Sequence, residues 1–200
     1  MAGKHEITRA DIIPMADYVR ERKELRRALV EAKKNRRLEV GPVCSFYFEN
    51  YQTMWNQIHE MLFIEKGGEA QIADELSAYN PLIPKGRELV ATVMFEIDDP
   101  VRRGALLAKL GGVEQTAFIR IGGETASESV WGVPEEDVDR TSAAGKASSV
   151  QFIHFPFTDE QVAAFRAAGT EIVVGFSHPE YAHMAVLPGP VRQALAGDFD

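Results

Sequence analysis

A chain of 200 residues with 45% hydrophobic content is long enough to bury a core without a disulfide scaffold, and its single cysteine, Cys44, has no intrachain partner. No apolar run approaches the roughly 18 residues of a spanning helix, and the charged start at Lys4, His5 and Glu6 is not a signal peptide, so a soluble protein of a reducing cytoplasm, with no membrane partner, is expected. The formal charge of −8 is unevenly spread: residues 1–40 hold 11 of the 22 Lys and Arg against 7 of the 30 acids, a net of +4 that leaves −12 for the rest.

Such a basic segment can be a nucleic-acid arm. Between residues 11 and 37, however, the cations alternate with Glu21, Glu24 and Glu31 while Leu25, Leu29 and Ala32 recur at helical spacing. That is the pattern of a solvated amphipathic helix, and no nucleic-acid partner is expected.

Residues 1–86 read as a helical segment broken by a short apolar piece at 43–48. A first helix is expected from about 11 to 38, stopped by Gly41-Pro42. A second covers 51–65, with Tyr51, Met54, Trp55, Ile58, Met61 and Leu62 on its burying face, Asn50 as cap and Gly67-Gly68 at its end. Opposite Trp55, the residues Gln52, Asn56 and His59, flanked by Glu49 and Glu60, form a polar face that could meet a ligand or a neighbouring helix, or be solvated. It lacks the Glu-x-x-His spacing of carboxylate-bridged di-iron bundles. A third helix spans 69–79, and the proline-rich stretch 80–86 is a stiff connection to the remainder, 87–200.

Beyond it, strands alternate with helices. Leu89, Ala91, Val93, Phe95 and Ile97 share one strand face; a helix follows at 100–110; a strand carries Ala117, Ile119 and Ile121; another carries Ile153, Phe155 and Phe157; a helix opens at Thr158 with Gln161 three positions on; and a strand runs through Ile172 and Val174. This β-α-β-β-α-β order predicts an α+β fold. Its expected form is a ferredoxin-like antiparallel sheet with an added strand at 184–187 and a C-terminal helix, the N-terminal helices packing on its free face. The stretch 122–148 is too long for a hairpin connection of about 2 to 5 residues, so a lid, a partner-binding element and disorder all remain open for it.

Three of the five histidines, His154, His178 and His183, fall in this last part, each on or beside a strand. With Glu96 as the expected cross-strand neighbour of His154, and Glu180 as another carboxylate, they make the ligand types of a zinc or non-haem iron site. The alternative is three ordinary structural histidines, with His178 in a turn before Pro179. Catalytic residues cannot be assigned beyond this set. A P-loop is absent: Arg140 replaces its first glycine and Ala147 follows Gly145-Lys146, so no nucleotide is expected by that route. Cys44, among Val43, Ser45 and Phe46, is expected to be a buried, inert thiol.

The segments Phe48-Glu49-Asn50-Tyr51, Met54-Trp55, 60–69, 79–86, 94–98, Phe152-Ile153-His154-Phe155 and His178-Pro179-Glu180-Tyr181 resemble a bacterial family of domains of unknown function, over nearly the whole chain. Members of that family are often encoded beside rubrerythrin-like and iron–sulfur, heterodisulfide-reductase-like proteins. The resemblance implies a cytoplasmic accessory or binding protein of a redox or peroxide-defence system, with a rubrerythrin-like or iron–sulfur partner, and it assigns no residue a role. The rival reading is an enzyme, a hydrolase or oxidoreductase, using a His-ligated Zn or Fe. A homodimer is compatible with either.

Overall fold

The computed structural model of the chain describes residues 4–122, 128–135 and 145–200. Its first long helix, α1 (Met15–Lys34), is shorter than its charge pattern suggests. At its start, residues 9–11 form a 3-10 turn in which Asp11 accepts the Thr8 N–H at 2.9 Å. At its far end the chain is drawn into strand β1 (Arg37–Glu39), which pairs antiparallel with β2 (Cys44–Glu49). Helix α2 (Tyr51–Glu65) has the expected bounds because Asn50 and Thr53 cap each other reciprocally, at 3.0 and 2.9 Å. Helix α3 (Glu69–Tyr79) also runs as expected up to Asn80-Pro81.

Then come β3 (Glu88–Phe95), α4 (Pro100–Leu107) with Asp99 as its cap, β4 (Ala117–Ile121), β5 (Glu128–Trp131), β6 (Val133–Pro134) and β7 (Val150–Pro156). Helix α5 (Asp159–Arg166) opens on the predicted Thr158–Gln161 box, and β8 (Ile172–Phe176), β9 (Met184–Val186) and α6 (Gly189–Ala196) complete the fold. Strands β5 and β6 lie within the 122–148 stretch, so part of it is sheet. Residues 123–127 and 136–144, where lid and disorder remained open, lie outside the described residues.

The fold is α+β, but the single ferredoxin-like sheet is corrected. The strands form two antiparallel sheets, ordered β1-β2-β3-β7-β6 and β5-β4-β8-β9. The expected β3–β7 pair is present, with His154 opposite Val90. A ferredoxin-like sheet would add β8 to the other edge of β3 and β4 to the other edge of β7. Those edges are taken by β2, from the segment read as helical, and by β6, from the long connection. With no edge left to join, β4 and β8 pair with each other.

The sheets face one another across one core. Alternation along the strands puts Phe46, Phe48, Leu89, Val93, Ile153 and Phe155 of the first sheet against Ile119, Ile121, Val130, Ile172, Val174 and Phe176 of the second. Leu110, just past α4, Phe165 of α5 and Leu195 of α6 close this core. The chain crosses between the sheets at Gly132, the one residue between β5 and β6, where a Cβ would stand 2.5 Å from Ile153 Cγ2. Only a residue without a side chain passes there.

The other face of the first sheet is covered by the N-terminal helices. Met54, Ile58 and Leu62 of α2, Ile72 of α3, and Leu82 and Ile83 of the connection pack with Ile7, Ile12 and Val90 in a second core, against which Trp55 and Phe152 rest. Each large side chain buried this way contributes about 1.5–3 kcal/mol toward holding the helices on the sheet. No helix among the described residues is long and apolar enough to cross a membrane.

Candidate functional site

The helix-covered face of the first sheet carries polar residues in register. One row across the strands is Glu49, Val90, His154 and Val133; the next is Tyr47, Thr92 and Phe152. Over part of this face the helices leave a cleft of about 340 Å³. Its apolar wall is made by Met54, Leu82, Met94, Val150 and Phe152, its aromatic edges by Tyr47 and Tyr79, and its polar groups are Lys33, Glu49, Gln57 and Thr92.

Glu49 decides the chemistry of this cleft. It is only 4% exposed, its Oε1 accepts the Thr92 hydroxyl at 2.8 Å, and its Oε2 is buried with no hydrogen-bond partner among the described residues. A buried polar atom left unpaired costs about 1–3 kcal/mol, more for a charged group, so such atoms call for an explanation. The backbone beneath it is held firmly: Arg36 donates to the carbonyls of Phe48 at 2.9 Å and Glu49 at 3.1 Å, and forms a buried ion pair with Asp198. Burial pushes the Asp198 carboxyl above its usual pKa, against the pull of Arg36. The remaining hydroxyls are partly engaged, with Tyr47 donating to Glu96 at 3.1 Å and Tyr79 accepting from Gln57 at 3.3 Å. A rigid, unpaired acceptor in the wall of a largely apolar cleft is a recognition element for a donor.

Further along the same face, His154 lies between two carboxylates. Its Nδ1 is 3.0 Å from Glu88 Oε2 and its Nε2 is 2.8 Å from Glu135 Oε2. Burial pulls its pKa down, but the two carboxylates outweigh this and set it above the ordinary imidazole value. With both nitrogens donating, the ring is an imidazolium that clasps the start of β3 to the end of β6.

The expected three-histidine site is not assembled. His178 donates from Nε2 to the Gly111 carbonyl at 3.3 Å and accepts the Glu180 N–H on Nδ1 at 3.2 Å, within the turn closed by the Tyr181 N–H and His178 carbonyl. His183 stacks edge-on with Tyr181 at 4.5 Å and lies against Gly41. Glu96 lies past the end of β3, with Tyr47 and Arg37 as its partners, and the Glu180 side chain is exposed. Nearness in sequence was misleading because β7 belongs to one sheet while His178 and His183 follow and precede strands of the other. Among the described residues no group of three or more His, Cys, Asp or Glu is placed to hold a metal ion.

The polar face of α2 is divided: Gln52 at its start is exposed, while Asn56 and His59 are buried against neighbouring segments. His59 is fully buried, accepts the Ile13 N–H at 3.3 Å and donates to the Trp55 carbonyl at 2.7 Å, and burial holds its pKa below the ordinary value, so it is neutral. Glu60 takes Arg22 at 2.8 Å and the Tyr18 hydroxyl at 2.6 Å. Cys44 is buried as expected, and burial together with the Glu96 charge pushes its thiol up, away from reactivity.

A family model for proteins of unknown function, DUF3501, matches residues 6–199. The chain belongs to this family. A crystal structure described as a novel protein of unknown function from Burkholderia pseudomallei K96243 is similar to this DUF3501 chain at 35% identity, with a TM-score of 0.87 over 97% of this chain and 99% of that one. No curated protein matches. Within the DUF3501 chain, the sequence pointed to Glu49 only as a neighbour of the α2 polar face, and did not point to Thr92 or Glu88. A usable signal was present: Tyr47 and Glu49 alternate with Phe46 and Phe48, the pattern of a strand with one apolar and one polar face.

Proposed function

We propose that this DUF3501 protein is a binding protein that takes a small organic molecule in the cleft between α2, α3 and the first sheet. One observation carries the reading: Glu49 Oε2, buried and without a partner among the described residues, in the wall of a cleft of about 340 Å³. That volume falls at the lower end of the range for small-molecule sites, roughly 300–1,000 Å³. The binding reading is supported by the lining, in which, among the described residues, neither an imidazole nor a thiol is present.

The accessory role beside a rubrerythrin-like or iron–sulfur protein, in a redox or peroxide-defence system, is the setting that the family resemblance supplies for such a ligand. It is supported by that resemblance alone.

Equilibrium dialysis of the purified protein against a small-molecule extract, read by native mass spectrometry, tests the reading. One bound molecule per chain is expected. Its capture should be lost in Met94→Trp and in Val150→Phe, which fill the cleft, while circular dichroism and thermal unfolding remain close to those of the parent. No capture, or capture indifferent to both substitutions, would overturn it. Stoichiometric zinc or iron in freshly purified protein, lost in His154→Ala, would favour the metalloenzyme reading instead.

A further inference from the structure

We infer that the ligand of the Glu49 cleft is an organic cation, a primary ammonium or an amidinium carried on a short apolar body. This rests on the binding reading above and names the chemistry of the same site. The cleft offers one strong acceptor that lacks a donor, Glu49 Oε2, and the carboxylate that bears it is held in place through its other oxygen by Thr92 at 2.8 Å.

A ligand anion would meet this carboxylate as a like charge. A neutral hydroxyl would satisfy its lone pair but not its charge. A charged N–H donor does both, and such bonds are shorter and roughly twice as strong as neutral ones. The remaining walls fit what an amine carries. Met54 and Met94 present polarisable thioethers, Leu82, Val150 and Phe152 an apolar surface, and Tyr79 an aromatic ring, while the Tyr47 ring already carries the Arg37 guanidinium at 5.4 Å.

Lys33 is the competing donor, since it also lines the cleft from the last turn of α1. It does not supply the missing bond, because Glu49 Oε2 has no partner among the described residues, Lys33 included. Its ammonium stands on a long stem at the end of an exposed helix and is free to turn to solvent when a second cation enters. The remaining acid near these residues, Glu96, is already engaged by Tyr47 and Arg37. The carboxylate with an unpaired oxygen beside the cleft is therefore that of Glu49.

Titration calorimetry with three matched probes tests the inference: 2-phenylethylamine, 2-phenylethanol and 3-phenylpropanoate. The amine is expected to bind at least about tenfold more tightly than the alcohol, and the acid to bind most weakly. Glu49→Gln should remove the preference for the amine while leaving the alcohol unchanged. Lys33→Ala should leave amine binding equal or stronger, by removing the competitor.

The inference fails if the alcohol binds as well as the amine, if Glu49→Gln keeps the preference, or if Lys33→Ala abolishes binding, which would point to an acidic ligand. Failure of the class and failure of the binding reading are separable. If amines are ignored but an extract molecule is still captured in a manner sensitive to Met94→Trp, the cation is wrong and the cleft stands. If neither probe nor extract molecule is retained, both fall.

Discussion

The two faces of the first sheet are built from the same three long strands, β2, β3 and β7, yet they are put to opposite uses. The inner face is Phe46, Phe48, Leu89, Val93, Ile153 and Phe155, all buried against the second sheet. The outer face, one residue out of step along each strand, is Tyr47, Glu49, Thr92, Met94, Phe152 and His154, lying under helices that leave room. The first arrangement removes apolar area from water; the second keeps charged groups out of water and must find them partners. Both sides carry a core, but only the inner one is wholly apolar, so recognition should fall on the outer side.

Substitutions can break this contrast. Phe155→Ala on the inner face is expected to cost the most, about 3–5 kcal/mol of unfolding free energy by urea denaturation, through lost burial and the cavity left behind. On the outer face, His154→Ala should cost roughly 1–2 kcal/mol near neutral pH, the size of its bonds to two carboxylates. That cost should itself depend on pH. Because the folded-state pKa of His154 is raised, its contribution is complete below the unfolded value, near 6.5, and is lost as pH rises through the folded value. The stability gap between parent and His154→Ala should accordingly shrink as pH rises above about 6.5; a gap that widens would show that the ring is not the imidazolium described above.

Smallest of all should be Glu49→Gln, which removes a buried charge of incomplete pairing. A change within about 1 kcal/mol of zero, of either sign, is expected. If Glu49→Gln instead cost as much as Phe155→Ala, the carboxylate would be a structural element and the contrast between the faces would collapse. Between the two lies Asn50→Ala, expected to cost about 1 kcal/mol through the lost cap of α2 and so to move the cleft wall without touching its chemistry.

What the sequence disclosed follows from how local each signal is. The bounds of α2 and α3, the Thr158–Gln161 box and the inner alternation of β3 each depend on residues within a few positions of one another, and all were readable. Pairing between strands is not local. The pattern of β3 gave no indication that β2, nearly forty residues earlier, would occupy one of its edges, and β6 is too short to show a period at all. The histidine partner shows the same limit. Glu88 and Glu96 have the same parity in the chain, so alternation alone could not choose between them; the register that sets Val90 opposite His154 selects Glu88. The cleft was harder still, since it needs a strand from the N-terminal segment and a helix cover to be known together.

The passage of the chain from one sheet to the other at Gly132 has a consequence for how the protein is made. The first sheet draws on residues 37–39, 44–49, 88–95, 133–134 and 150–156, the second on 117–121, 128–131, 172–176 and 184–186, so their segments are interleaved along the chain. The first sheet is complete only at residue 156, after β4 and β5 of the second have been made, and the second only at residue 186. Until β7 has emerged, β3 presents an open edge, and until β8 has emerged, so does β4. Nascent chains stopped before residue 150 should be sensitive to protease and bind chaperones, with protection gained in one late step once β8 is clear of the exit tunnel.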